Sequence, residues 1–156
     1  MGYIEDLRQY IGAKPLMLPG AVVLLIDQEG RILLQERKPK RVWGLPGGIM
    51  ELGESFEETA RREVLEEAGL TVGDLELIGL FSGKDNYMVC PNGDEVYAVT
   101  AVYLAHSFFG ELCIDYTESL DMRFFALNNL PTHLSRTARR AIEAYIQKTT
   151  ITTQIL

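Results

Sequence analysis

The chain has 156 residues, enough for one domain with a real core, since domains run to roughly 100–200 residues. Hydrophobic residues make up 47% and charged residues 24%, close to globular averages, which excludes a disordered chain, a collagen-like repeat and a disulfide miniprotein. Fifteen Lys and Arg against 22 Asp and Glu give a net charge of −7, a poor balance for non-specific nucleic-acid binding, so an anionic ligand would need local Arg or Lys or a divalent cation. No apolar run approaches the ~20 residues that span a bilayer. The N-terminus has no basic segment followed by an apolar one, and Asp6 stands where a myristoylation signal has Ser or Thr. No membrane partner and no nucleic-acid partner is therefore expected. Cys90 and Cys113 lie outside any CxxC spacing and read as two free thiols in a reducing, cytoplasmic compartment.

In chain order, apolar residues at 3, 4, 7, 10 and 11 predict a helix, and Pro15 and Pro19 end it. Residues 21–27 and 31–37 are apolar, branched runs around the turn signal Gln28-Glu29-Gly30, which predicts a hairpin. A basic loop follows at 38–41. Residues 43–48 are too rich in Gly and Pro for regular structure. A strong helix is expected over 55–68, closed by Gly69. Strands are expected at 75–82 and 96–107, with a polar connection at 91–94, and a short strand at 122–126. Apolar positions 134, 138, 141, 142, 145 and 146 predict an amphipathic helix over 133–147, and the tail from 149 has no assignment. Strands mixed with a few helices predict an α/β or α+β domain with helices packed on sheets.

The helix at 55 carries the chemistry. Ser55-Phe56-Glu57-Glu58 is a capping box, so its start is written locally. Glu63, Glu66 and Glu67 are spaced i, i+3, i+4 and share one face, where like charges repel by a few tenths of a kcal/mol. An acidic helix face is ordinarily just solvated. Clustered carboxylates are also what a hard divalent cation rewards, and Mg²⁺ combines them with waters and substrate phosphates. Arg62 sits beside the cluster to orient or screen it, and Glu54 is within reach of the same region.

The context decides between these readings. Gly48, Glu54, Arg62-Glu63-Val64, Glu66-Glu67 and Gly69-Leu70 meet every fixed position of G-x5-E-x7-R-E-U-x-E-E-x-G-U, nine constraints over residues 48–70. The segment resembles the complete Nudix box, and Leu45-Pro46-Gly47-Gly48 resembles its usual lead-in. The chain is thereby similar to bacterial, MutT-like Nudix hydrolases over nearly its whole length. The resemblance implies one Nudix domain over 1–156, with an α/β/α sandwich around a mixed sheet. It implies hydrolysis of a phosphoanhydride in a nucleoside diphosphate linked to another moiety, with Mg²⁺ or Mn²⁺. It makes Glu63, Glu66 and Glu67 metal ligands, one of them doubling as a base, and gives the Gly47 carbonyl to the metal. Arg62 would hold a glutamate in place, and Glu54 would support the loop or join the metal shell. The physics agrees, because a diphosphate must be neutralised before water can attack phosphorus.

Outside the box, the resemblance makes Arg37 a phosphate contact, which Arg can make bidentately. Lys38 and Lys40 read more simply as a solvated basic loop. Family members often take a further acid from a loop past the box. Among Asp115, Glu118 and Asp121, Glu118 is the choice, because it stands just before the strand at 122. Trp43, Phe81, Tyr87 and Tyr97 are candidate platforms for a base or sugar. The position of Tyr87 resembles that of a tyrosine in dinucleoside polyphosphate hydrolases. The absence of a proline about fifteen residues past the box, usual in ADP-ribose members, mildly disfavours ADP-ribose. Family members are often homodimers. Two rivals are a non-catalytic Nudix-fold regulator that binds a nucleotide sugar, which would ordinarily lack box acids, and an isoprenoid diphosphate isomerase, which would need a Cys and a Glu in the pocket.

Overall fold

The computed structural model describes residues 2–155. Helix α1 (Tyr3–Ile11) leads into β1 (Leu16–Leu25), and β2 is Ile32–Arg37. The turn between them forms as its sequence dictates. Asp27 Oδ1 accepts the N–H groups of Glu29 (3.0 Å) and Arg31 (2.8 Å), and Gly30 takes φ +77°. The hairpin does not form: β1 and β2 share only the isolated bridge Ile26↔Ile32. Both edges of each strand are taken by other partners, and the two runs diverge into different sheets.

The larger sheet has the order β4 (Gly47–Ile49), β1, β8 (Glu95–Ala105), β6 (Glu76–Phe81), with β7 (Tyr87–Val89) pairing along β8. Strands β1 and β8 run parallel from Leu16↔Val96 to Leu25↔Ala105, and the other pairings are antiparallel, so the sheet is mixed. A second sheet has the order β10 (Ser119–Phe125), β2, β3 (Val42–Gly44), and β5 (Thr71–Val72) pairs with β9 (Phe108–Phe109). Residues 43–48, expected to be irregular, thus contain two short strands around Leu45-Pro46. Gly47 shows why glycine stands in one of them. Its φ is +149°, and a Cβ there would lie 2.2 Å from the Ala21 carbonyl oxygen on the paired strand.

The continuous apolar runs of the sequence are buried on both faces. Ala21, Val23 and Leu25 of β1 pack with Ala101 and Tyr103 of β8 against Ala60, Val64 and Ala68 of α2 (Phe56–Ala68). Their neighbours Leu24, Val102 and Leu104 pack against Ala138, Ala141, Ile142 and Tyr145 of α3 (Arg136–Ile155). This is the expected helix–sheet–helix layering. Helix α3 begins three residues later than predicted, with Ser135 Oγ accepting the Ala138 N–H, and it runs on through the threonine-rich tail. There Thr149, Thr150, Thr152 and Thr153 each donate a hydroxyl to the carbonyl four residues earlier. Among the described residues no helix is long and apolar enough to cross a membrane.

Candidate active site

Helix α2 is placed by its ends and its apolar stripe. The capping box forms reciprocally: Ser55 Oγ accepts the Glu58 N–H at 3.1 Å, and Glu58 Oε2 accepts the Ser55 N–H at 2.7 Å. Gly69 closes the helix at φ +69°. The buried stripe of Ala60, Val64 and Ala68 carries Glu67 inward with it, leaving that residue 3% exposed. Glu63 lies at the margin, and Glu66 is largely solvated. One face of acids on paper becomes a graded row from core to solvent.

Glu67 is met by a polar network that the sequence pattern did not reveal. Its Oε2 accepts the Gly47 N–H at 2.8 Å and the Gln35 side-chain N–H at 2.9 Å. Gln35 is itself fixed by the Ser119 hydroxyl, which donates to its Oε1 at 2.8 Å, and both residues are buried. The signal for Gln35 was weak: a polar residue directly after the apolar run 32–34, followed by Glu36 and Arg37. Glu67 Oε1 faces Arg37 Nη2 at 3.0 Å, and the same nitrogen donates to the Gly47 carbonyl at 2.8 Å. Burial pushes the Glu67 carboxyl up to about 7, against the opposing pull of Arg37, the Gly47 N–H and Gln35. Burial likewise raises Glu63, with Arg62 pulling the other way.

Arg62 organises the outer half. It grips Glu54 with Nε (2.6 Å) and Nη2 (3.0 Å). It also reaches Glu63 (2.9 Å), Glu66 (3.2 Å) and the Ile49 carbonyl (3.0 Å). Glu54 Oε2 further accepts the Thr59 hydroxyl and the Glu51 N–H. With the Arg62 hydrogen bonds leading, these hold the Glu54 carboxyl at about 2. Gly48 permits the close approach of loop and helix, since a Cβ there would lie 2.4 Å from Glu63 Oε1.

Arg37, Gly47, Arg62, Glu63, Glu66 and Glu67 line a cavity of about 650 Å³ that also reaches Asp115, Glu118, Arg8 and Asp94. Glu118 is therefore brought to the box acids, carried by the turn that enters β10. Asp121 is not, because it lies within β10 and faces Arg123. A second cavity of about 430 Å³ adjoins it, with Leu18, Val22, Val42, Met88, Val89 and Ala98 in its walls and Lys38 and Lys40 on its lining. The two share Arg37, Gly47, Gly48 and Cys90.

Tyr87 is not brought to either cavity: its hydroxyl donates to Glu95 and its ring lies against Tyr97. Its strand neighbours Met88 and Val89 line the apolar cavity instead. Trp43 packs edge-on against Phe125, Arg140 lies 4.1 Å over the Phe81 ring, and neither ring lines these two cavities. Both cysteines are free, and Cys90 lines both cavities. Burial and Asp94 raise its thiol, which makes it a poor nucleophile.

The donor set is all oxygen, carboxylates with one carbonyl, which suits a hard divalent cation. Among the described residues no three His, Cys, Asp or Glu side chains converge as they stand to hold an ion. The carboxylates of Glu54, Glu63, Glu66 and Glu67 are paired with Arg37 and Arg62.

The NUDIX domain profile matches residues 17–145. An ADP-ribose pyrophosphatase of Methanocaldococcus jannaschii is 35% identical over 132 residues, 81% of this chain and 72% of that protein. A MutT NUDIX hydrolase from Burkholderia pseudomallei has a similar structure, with TM-score 0.72, 32% identity, and 83% of this chain and 98% of that one covered. A mutator MutT protein from Bacillus halodurans aligns at TM-score 0.54 and 32% identity over 69% of this chain and 67% of its own. The chain belongs to the Nudix family. It is a hydrolase of nucleoside diphosphate-linked substrates, in a family that generally uses divalent metal ions.

Proposed function

We propose that the chain acts as one Nudix domain that hydrolyses a nucleoside diphosphate derivative across the border of its two cavities. The observation that carries this is the juxtaposition itself: a carboxylate-lined cavity and an apolar one meet at Arg37, Gly47 and Gly48. Glu63, Glu66 and Glu67, with the Gly47 carbonyl, would hold Mg²⁺ or Mn²⁺. Such an ion neutralises phosphoryl oxygens and makes water a better nucleophile near neutral pH. Arg37, between the cavities, takes a phosphate oxygen, and Lys38 and Lys40 add positive charge at the apolar rim. The apolar cavity receives the non-phosphate part of the substrate. Its lining includes no aromatic ring and no carboxylate, so it favours shape over reading of a base edge. Glu66 and Glu118, the solvated acids of the cleft, are placed to take a proton from the attacking water. Arg62 positions Glu63 and Glu66. The relative from Methanocaldococcus keeps ADP-ribose among the candidate substrates, and two free thiols suit a reducing compartment, so we place the reaction in the bacterial cytoplasm.

Phosphate release should be measured, with and without pyrophosphatase and phosphatase, over nucleoside triphosphates, nucleotide sugars, ADP-ribose and dinucleoside polyphosphates, in Mg²⁺ and Mn²⁺. A metal-dependent signal lost in Glu67→Gln is expected. Silence across the panel with retained nucleotide binding would favour the ligand-binding regulator. Turnover lost in Cys90→Ala but kept in Glu67→Gln would favour the isomerase, which the place of Cys90 makes worth the control.

A further inference from the structure

Glu67 is fixed by its surroundings in a way that leaves one oxygen with a choice. Its Oε2 accepts two N–H groups, from Gly47 and Gln35, and Gln35 is locked in turn by Ser119. The carboxylate cannot turn without orphaning buried polar groups. Oε1 alone faces the cleft, and Arg37 Nη2 lies 3.0 Å from it and 2.8 Å from the Gly47 carbonyl oxygen. One guanidinium nitrogen thus sits on both oxygens that the metal-site reading above assigns to the cation.

A guanidinium and a divalent cation cannot both take those lone pairs. Of the two partners, only the arginine is free to leave: its side chain is 37% exposed, against 5% for Glu67. It also has somewhere to go, since it lines the apolar cavity as well as the acidic one. Arg62 differs on each count, with bonds to three carboxylates and a carbonyl and a more buried side chain.

We propose that Arg37 is an exchangeable counter-ion: it pairs with Glu67 and the Gly47 carbonyl when no cation is bound, and an arriving cation displaces it to the border with the neighbouring cavity, where it takes substrate phosphate. The proposal rests on the metal-site reading. Its consequence is reciprocal coupling, with each of metal and phosphate tightening the other through one side chain.

The test is Mn²⁺ binding to the 156-residue chain, followed by electron paramagnetic resonance of the free ion at pH 8. Wild type, Arg37→Met and Glu67→Gln are compared with and without α,β-methylene-ADP. Without nucleotide, Arg37→Met should bind Mn²⁺ about tenfold tighter than wild type, within the usual span of coupling between sites. The nucleotide should tighten Mn²⁺ binding to wild type but not to Arg37→Met. Unchanged or weaker binding in Arg37→Met, with binding lost in Glu67→Gln, overturns the exchange and leaves the metal site standing. Wild-type affinity in Glu67→Gln overturns both. Should Arg37→Met fold poorly, the wild type itself reports. The Arg37 Nε–H resonance, assigned by its loss in Arg37→Lys, should move on Mg²⁺ saturation while that of Arg62 stays. An unmoved Arg37 signal, with the Gly47 and Gly48 amides shifting, rejects the exchange.

Discussion

Two arginine–glutamate pairs stand in one cleft with the same chemistry and opposite electrostatics. Glu54, gripped in two places by Arg62, is held at about 2, and Glu67, 3.0 Å from Arg37, is pushed up to about 7. The difference is burial. Glu54 sits at the margin, where the hydrogen bonds from Arg62 outweigh desolvation, and Glu67 rides inward on the packed stripe of α2, where desolvation outweighs three favourable partners. An ion pair therefore says little until its surroundings are counted. The outer pair is a brace; the inner pair keeps a carboxylate poised near neutral pH, the condition associated with reactive sites.

Exchanging the charge of each acid for an amide separates these roles. Glu67→Gln should lower kcat about a thousandfold, since a ligated cation supplies several kcal/mol of transition-state stabilisation. Steady-state assay at saturating metal measures it, and an unchanged kcat in folded protein would remove Glu67 from the reaction.

The glycines beneath the two pairs offer a second contrast. A Cβ at Gly47 would meet backbone, the Ala21 oxygen at 2.2 Å and the Val22 Cα at 2.6 Å. Gly47→Ala should cost roughly 3 kcal/mol or more, because neither strand can move aside, and urea denaturation reads this directly. A Cβ at Gly48 would meet only the end of the Glu63 side chain, which can swing away. Gly48→Ala should keep its stability within about 1 kcal/mol and lose activity instead. Equal loss of stability in both would mean that Glu63 is fixed by more than Arg62.

The inner pair also sets a pH slope. Folding raises the Glu67 carboxyl from 4.5 to about 7, so between those values the folded chain holds a proton that the unfolded chain has released. Stability of metal-free protein should fall as pH rises through that window, by up to about 3 kcal/mol, and level off above it. Glu54 acts with the opposite sign: its contribution is complete above 4.5 and is lost as pH falls toward 2. Thermal unfolding from pH 3 to 8 should show both limbs, and Glu67→Gln should flatten only the upper one.

Much of this cleft was legible in the residues. The capping box, Gly69 and the acids of α2 follow from local chemistry, and their box spacing marks a family that generally uses divalent metal ions. What stayed hidden depends on contacts between distant segments. Gln35 and Ser119 are 84 positions apart, and neither announces a role. Tyr87 lies outside both cavities although its neighbours Met88 and Val89 line one, and position along the chain alone does not distinguish them. The lost hairpin has the same origin: the turn at 27–31 is local and formed, but the partners of β1 and β2 are chosen by strands far along the chain. Strands of two or three residues, such as β5 and β9, hold too little pattern to be read at all.

The mildest substitution is the sharpest test of the brace. In Glu54→Gln the amide oxygen still accepts from Arg62 or Thr59, so the loop before α2 should stay in place. What is lost is the negative charge that faces Arg62. Freed from its strongest partner, it leans harder on Glu63 and Glu66, which it already touches at 2.9 and 3.2 Å. Those acids then give up less of their charge to a cation. The expected signature is a Mg²⁺ requirement raised about tenfold, the low end for loss of a group that supports metal ligands, with kcat at saturating Mg²⁺ nearly unchanged. Activity titrated against Mg²⁺ distinguishes this from Glu67→Gln, where added metal cannot restore kcat. If saturating Mg²⁺ fails to rescue Glu54→Gln as well, then Glu54 belongs to the reacting group, and the division between brace and reactive pair is wrong.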